Sequence, residues 1–206
     1  EYIQALDTIF PKAVQGDFLL HYLRGDTCST NSFEPLEKVL KSNDPFRLVP
    51  AGGRPTNFNF PYFNIETGDS GVIAVLGWPG QWAVNFQGMV DKGLRVAGGQ
   101  ELTRFKLLPG EEVRSPLIVL MFWQYGDWID AQNLWRRWMV AHNIPRPGGK
   151  LVPTHYGACW SDDLQPRAET ELAVMNGYIR EKIDLDFWFI DAGWYPDGGN
   201  WPYTGT

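Results

Sequence analysis

Cysteine and histidine are scarce in this 206-residue chain, which has two of the first and three of the second. Cys28 and Cys159 lie too far apart in sequence for a metal-binding pair and are too few for a disulfide framework, so two separate buried thiols are expected. His21, His142 and His155 fall on separate segments without ligand spacing, and no zinc or other metal site is expected. No run of about 18 apolar residues exists for a membrane-spanning helix, and no basic segment precedes an apolar core as in a signal peptide. Positive charge is short as well. Lys and Arg total 18 against 24 Asp and Glu, leaving a net charge of −6 and a pI near 5.0. That balance argues against a nucleic-acid backbone or an anionic membrane as partner. The phosphate-cradling loop, the dinucleotide fingerprint and the G-x-S-x-G nucleophile elbow are all missing.

Aromatic residues are what the chain has in excess: 12 Phe, 8 Tyr and 10 Trp. Indole faces are natural platforms for the C–H faces of sugar rings, so a neutral carbohydrate is the favoured ligand class. Self-association into a homo-oligomer is left open. The chain begins at Glu1, not Met, and ends soon after a strand that looks functional, which leads us to expect a piece of a longer polypeptide.

From Val14 to about Leu120, short alternating or apolar runs separated by Gly, Pro, Asn and Asp recur roughly every ten residues, which predicts an antiparallel β-sandwich. Strands are expected over Gly16–Arg24, Asn57–Glu66, Gly71–Trp78, Gln81–Phe86, Leu94–Val96, Leu102–Leu107 and Val113–Phe122. Thr67-Gly68-Asp69-Ser70 joins the second and third as a hairpin. Two stretches, Gly52–Asn57 and Gly77–Trp82, read equally as ligand-facing loops and as packing elements. At Gly126 the period becomes helical, with Asp127 as cap and a stripe of Ala131, Leu134, Trp135, Trp138, Met139 and His142. Ile144–Gly149, with two prolines and two glycines, stops that helix. The expected division is therefore a β-sandwich over 1–125, a linker helix and Pro/Gly connection over 126–149, and a different unit over 150–206.

That last unit reads as strand (Lys150–Trp160), helix (Arg167–Lys182, with Ala168, Leu172, Met175 and Ile179 inward) and strand (Leu185–Ile190). Such a pattern demands a parallel sheet with more strands than two. Alternation puts Leu185, Phe187, Phe189 and Asp191 on one face, so Asp191 tops an apolar column at a strand's C-terminal end. An aspartate before Ala192-Gly193 is also an ordinary turn residue. Adjacent parallel strands bring their C-terminal ends together, so Trp160 and Asp191 are expected to share a mouth, an aromatic wall beside a carboxylate as sugar sites have. Pairing Asp162 or Asp163 with Asp191 as a catalytic dyad has no support, since no pattern places a second acid at a strand end.

The ordered set Gly53-Arg54-Pro55, Pro61-Tyr62-Phe63, Gly77-Trp78-Pro79-Gly80-Gln81-Trp82, the Trp160 strand end and Phe189-Ile190-Asp191-Ala192-Gly193-Trp194-Tyr195 resembles the α-galactosidase (melibiase) group of glycoside hydrolase family 36. The resemblance implies an N-terminal β-supersandwich, a linker helix and the first β-α-β unit of a (β/α)₈ barrel. The intact enzyme would hydrolyse terminal α-linked galactosides with retention, without metal or organic cofactor. Asp191 would hold hydroxyls of the terminal sugar and Trp160 would wall the same pocket, with Trp194 and Asp162 as further substrate-binding candidates. The nucleophile and acid/base would come from later barrel strands, beyond residue 206. Ala192 stands where the family usually has a second Asp, so one sugar-hydroxyl ligand is missing. The competing reading is a non-catalytic carbohydrate-binding or structural β-sandwich module.

Overall fold

A computed structural model describes residues 2–11, 17–90, 92–160 and 167–190, with only the backbone at Trp160. The chain divides into two compact units, Glu1–Asn143 and Ile144–Thr206.

Among the described residues the first unit contains nine strands and one helix: β1 (Tyr2–Phe10), β2 (Phe18–Arg24), β3 (Pro35–Leu40), β4 (Phe46–Leu48), β5 (Asn59–Thr67), β6 (Ser70–Gly77), β7 (Trp82–Met89), β8 (Gly93–Glu101), β9 (Leu117–Gln124) and α1 (Trp128–His142). They form a four-stranded sheet, β1-β8-β7-β4, and a five-stranded sheet, β3-β2-β5-β6-β9, antiparallel throughout. Leu20, Phe63, Ile65, Val72 and Leu76 from the five-stranded sheet meet Trp82, Val84, Phe86, Leu94 and Val96 from the four-stranded one, all nearly fully buried. Each such side chain taken out of water contributes about 1.5–3 kcal/mol, so this interlayer is the main source of the unit's stability.

The other face of the five-stranded sheet is also covered. Ile73, Val75 and Trp123 pack against Ala131 and Trp135 of α1, with Tyr62, Val119, Met121, Trp138 and Met139 around them. Strand β6 is thus apolar on both faces, Val72 and Leu76 toward the partner sheet and Ile73 and Val75 toward the helix. This explains why its sequence is a continuous apolar run and not an alternation. Asp127 caps α1, its Oδ1 accepting from the backbone N–H groups of Ile129 (2.8 Å) and Asp130 (2.9 Å). Only Ala131 and Trp135 of the expected stripe are fully buried, while Leu134 and His142 are exposed at its margin.

Three strands, β1, β3 and β4, are not evident in the sequence pattern, and all three lie at sheet edges. Edge strands have one hydrogen-bonding side open, and they tolerate the Pro35, Glu37 and Lys38 that mask β3 as a loop. Strand β8 runs well past its apolar Leu94–Val96 through Gly98 and Gly99, where β1 comes close: a Cβ on Gly99 would stand 2.0 Å from the Ile3 carbonyl oxygen. In contrast, the strand expected at Leu102–Leu107 does not form. Leu102 has a left-handed φ of 57° and Phe105 and Leu107 are exposed, since β-formers without a partner strand remain coil. The thiols differ from expectation too: Cys28 and Cys159 are both exposed. Cys28 sits in a tight turn at φ 52°, its N–H donating to Asp26 Oδ1 at 2.8 Å, a bond that with the Ser32 hydroxyl holds the Asp26 carboxyl below its ordinary pKa.

The second unit contains the one-turn helix Pro147–Gly149, β10 (Gly157–Trp160), α2 (Ala168–Arg180) and β11 (Phe187–Ile190). β10 and β11 pair in parallel, forming a two-stranded sheet among the described residues.

The buried polar link between sheet and helix is testable. Asn64, 1% exposed, accepts from the Trp123 indole N–H (2.9 Å) and donates to the Trp128 carbonyl (3.2 Å). Asn64→Ala leaves a buried indole N–H unpaired and is expected to cost about 1–3 kcal/mol in urea unfolding. A change indistinguishable from zero would show that the link contributes nothing.

An acid-side test concerns Asp7, which joins β1 to β8. Two hydrogen bonds from Arg95 (2.8 and 2.7 Å) hold its carboxyl below the ordinary value, against slight burial. The folded state therefore binds this proton less readily than the unfolded chain. The stabilisation is present above about pH 4 and is lost as pH falls through the lowered folded value. The stability difference between wild type and Asp7→Asn should accordingly shrink on acidification, and a difference that widens below about pH 4 would contradict it.

Candidate functional site

In the second unit the sequence points to the C-terminal ends of two strands, and the register aligns those ends. Gly157 pairs with Phe187, Ala158 with Trp188, Cys159 with Phe189 and Trp160 with Ile190. Trp160 is thus the last residue of β10, level with the residue before Asp191. Asp162, Asp191, Ala192 and Trp194 lie outside the described residues. The strands are latched at their opposite ends, where the Asp186 N–H donates to the Tyr156 carbonyl (2.8 Å) and the Tyr156 N–H donates to Asp186 Oδ2 (2.7 Å).

The two faces of this sheet differ. On one, the Phe187 ring lies over Gly157, where an added Cβ would come within 2.2 Å of it, and Phe187 and Phe189 remain about half exposed. On the other, the Trp188 indole N–H donates to Glu171 Oε2 at 2.6 Å, and the Tyr178 ring meets the Trp188 ring edge-on at 5.8 Å. Those contacts set the rotation of α2. The face turned inward carries Glu171, Val174, Met175 and Tyr178, whereas Leu172 and Ile179 of the expected inward face are 57% and 70% exposed. A charged-residue partner for Trp188 outweighs the simple apolar count. Glu171 is buried, and its Oε1 has no partner among the described residues.

In the first unit, the ambiguity of the two aromatic loops is settled for Trp82. It is fully buried and its indole N–H donates to the Pro55 carbonyl at 2.7 Å, tying the Gly77–Trp82 stretch to the Gly52–Asn57 stretch. Gln81 braces the same region through the Pro50 carbonyl (3.1 Å) and Glu101 Oε1 (2.8 Å). Trp82 and Gln81 are thus packing residues, while Gly52, Gly53 and Arg54 of the first stretch are exposed.

A cleft of about 410 Å³ was not foreseen. It opens between β2, β3 and the first turns of α1, around His21, Glu37, Tyr62, Trp128 and Gln132. His21 stacks on Trp128 (centroids 4.5 Å, planes 13° apart), and its Nε2 donates to the Glu66 carboxylate at 2.7 Å. Nδ1 stands 3.1 Å from Glu37 Oε1, within ion-pair range, yet off the line of a hydrogen bond and so unpaired in that sense. Sequence reasoning left His21 isolated because its partners are 16 and 45 residues away. Glu37 pairs directly across from it and Glu66 lies diagonally on β5, which only the strand register reveals.

These elements define a class: an antiparallel two-sheet sandwich backed by a helix, and a parallel β-α-β unit. No protein-family model matches the chain, and no curated protein does. Among solved structures it is similar to the α-galactosidase from Lactobacillus brevis, with a TM-score of 0.69 and 13% identity over 94% of this chain. The chain spans 26% of that protein's length. At such identity the likeness is one of fold alone.

The Trp188–Glu171 bond yields a test within this unit. Trp188→Phe removes the donor to a buried carboxylate and should raise amide exchange across Phe187–Ile190 and α2 by roughly 5- to 150-fold, the exchange equivalent of about 1–3 kcal/mol. Unchanged exchange there would mean that the carboxylate finds another donor at no cost.

Proposed function

We propose that the chain is part of a retaining, exo-acting α-glycosidase, α-galactosidase-like and of the glycoside hydrolase family 36 type, which removes terminal α-linked sugars from oligosaccharides. The observation that carries this is the fold correspondence with an α-galactosidase over 94% of the chain, joined to the strand-end sequence Trp160 and Asp191–Trp194. In this reading 1–125 is the sandwich domain, 126–149 the connection and 150–206 the start of a (β/α)₈ barrel.

Asp191 follows the Phe187 and Phe189 face by alternation and accepts hydroxyl hydrogen bonds of the terminal sugar. Trp160 and Trp194 cover apolar sugar faces, and Asp162 supplies a second polar contact at the mouth. Nothing in this scheme calls for a metal or organic cofactor. Retention requires a nucleophile and an acid/base carboxylate about 5 Å apart. Both are assigned to later barrel strands, so the 206-residue chain alone should hydrolyse nothing.

Ala192 then bears on specificity. A dry carboxylate rejects sugars that cannot pair with it, because it would be left buried and unpaired, and a missing second Asp relaxes that demand. The test uses the product of the complete reading frame on α-galactoside, α-glucoside and α-N-acetylgalactosaminide substrates. Hydrolysis of at least one, lost in Asp191→Asn, is expected, with galactose preference below about 10⁴ and sharpened by Ala192→Asp. No hydrolysis of any of the three, or turnover by the 206-residue chain itself, would sink the proposal.

A further inference from the structure

The cleft beside His21 carries polar groups that the fold does not use. Its volume, about 410 Å³, lies within the roughly 300–1,000 Å³ of small-molecule sites. The Tyr62 hydroxyl and the Gln132 amide make no hydrogen bond among the described residues. Burial pushes the Tyr62 phenol above its ordinary pKa, which keeps it a neutral donor. Glu37 is 57% exposed on edge strand β3, with His21, 4% exposed, behind it and one ring nitrogen of that His21 unpaired. Leu36, Pro35 and the Trp128 indole supply the apolar wall, and among the described residues no Lys or Arg lines the cleft.

We propose that this cleft of the sandwich unit is a binding site for a neutral polyhydroxylated ring, one hexose unit in size. The chemistry selects that class in three steps. An anion finds carboxylate and no lining cation, so it is excluded by charge. A purely apolar ligand would strand Glu37, Tyr62 and Gln132 without partners. A hexose offers hydroxyls that both donate and accept: one donates to the Glu37 carboxylate, others take the Tyr62 O–H and the Gln132 N–H, while ring C–H groups meet Leu36 and Trp128. The site rests on the first unit alone and stands whether or not the chain belongs to a glycosidase.

The test is a titration of the ¹⁵N-labelled 206-residue chain with D-galactose and D-glucose, followed at the Trp128 indole N–H, which Trp128→Phe identifies. Tetramethylammonium chloride serves as the cationic control. A saturable shift with either hexose is expected, weakened about 3- to 10-fold by Tyr62→Phe and by Gln132→Ala. Neither variant should move the thermal midpoint by much, since Tyr62→Phe keeps the packed ring and neither the Tyr62 hydroxyl nor the Gln132 amide hydrogen-bonds within the fold. The proposal is overturned by the absence of a saturable shift with both hexoses. It is equally overturned by a hexose shift indifferent to both variants, or by a response to tetramethylammonium alone.

Discussion

A single buried amide couples the layers of the first unit. Asn64 sits on the outer face of the five-stranded sheet, takes the Trp123 indole N–H and gives its own N–H to the carbonyl of Trp128, the first residue of α1. Burying an amide in an apolar layer is unfavourable unless its bonds are made, so the sites of Trp123 and of the α1 N-terminus are coupled through it. Once Trp128 is placed, its ring lies flat on His21, and the helix proceeds with Trp135 against Tyr62 and Ile73. Apolar burial supplies most of the energy, and Asn64 selects one docking of the helix among those that burial would allow.

That selection shapes the cleft. The first turns of α1 bring Gln132 beside β2, and the edge position of β3 leaves Glu37 open to solvent. A more deeply buried β3 would pair its carboxylate or exclude it. The same features that make β3 a weak strand in sequence therefore make it a usable wall: proline at its start, the adjacent charges Glu37 and Lys38, and a free hydrogen-bonding side.

Legibility in the sequence follows coverage. The β5-β6 hairpin is readable because a four-residue turn with a glycine at φ 64° interrupts two apolar runs, and α1 because Asp127 precedes a helical stripe. The edge strands are not, since with one hydrogen-bonding side open they tolerate the proline and charges that read as loop, and Leu102–Leu107 misleads because alternation without a partner is not a strand. At the site, the parallel alignment of Trp160 with Ile190 is legible from the β-α-β pattern. The rotation of α2 is not, because it depends on Glu171 taking the Trp188 N–H, a long-range polar pair that an apolar count ranks last. His21 is hidden for a related reason, its carboxylate neighbours being brought in by register across two other strands.

The two units differ in how they treat a doubly apolar strand. In the first, β6 has the partner sheet on one side and α1 on the other, and nothing large on it is exposed. In the second, β11 carries the same kind of run, with Trp188 met by α2 and with Phe187 and Phe189 left half exposed among the described residues. A parallel sheet is stable when both faces are covered, so the uncovered face is where this unit has apolar area still to bury. The outward Leu172 and Ile179 of α2 present the same requirement on the helix side. In the barrel reading one set turns to the interior and the other to the neighbouring helices, and both debts are met by one closure. A free-standing module would have to cover each face by separate means, and for that reason the glycosidase proposal stands or falls on what surrounds Phe187 and Phe189.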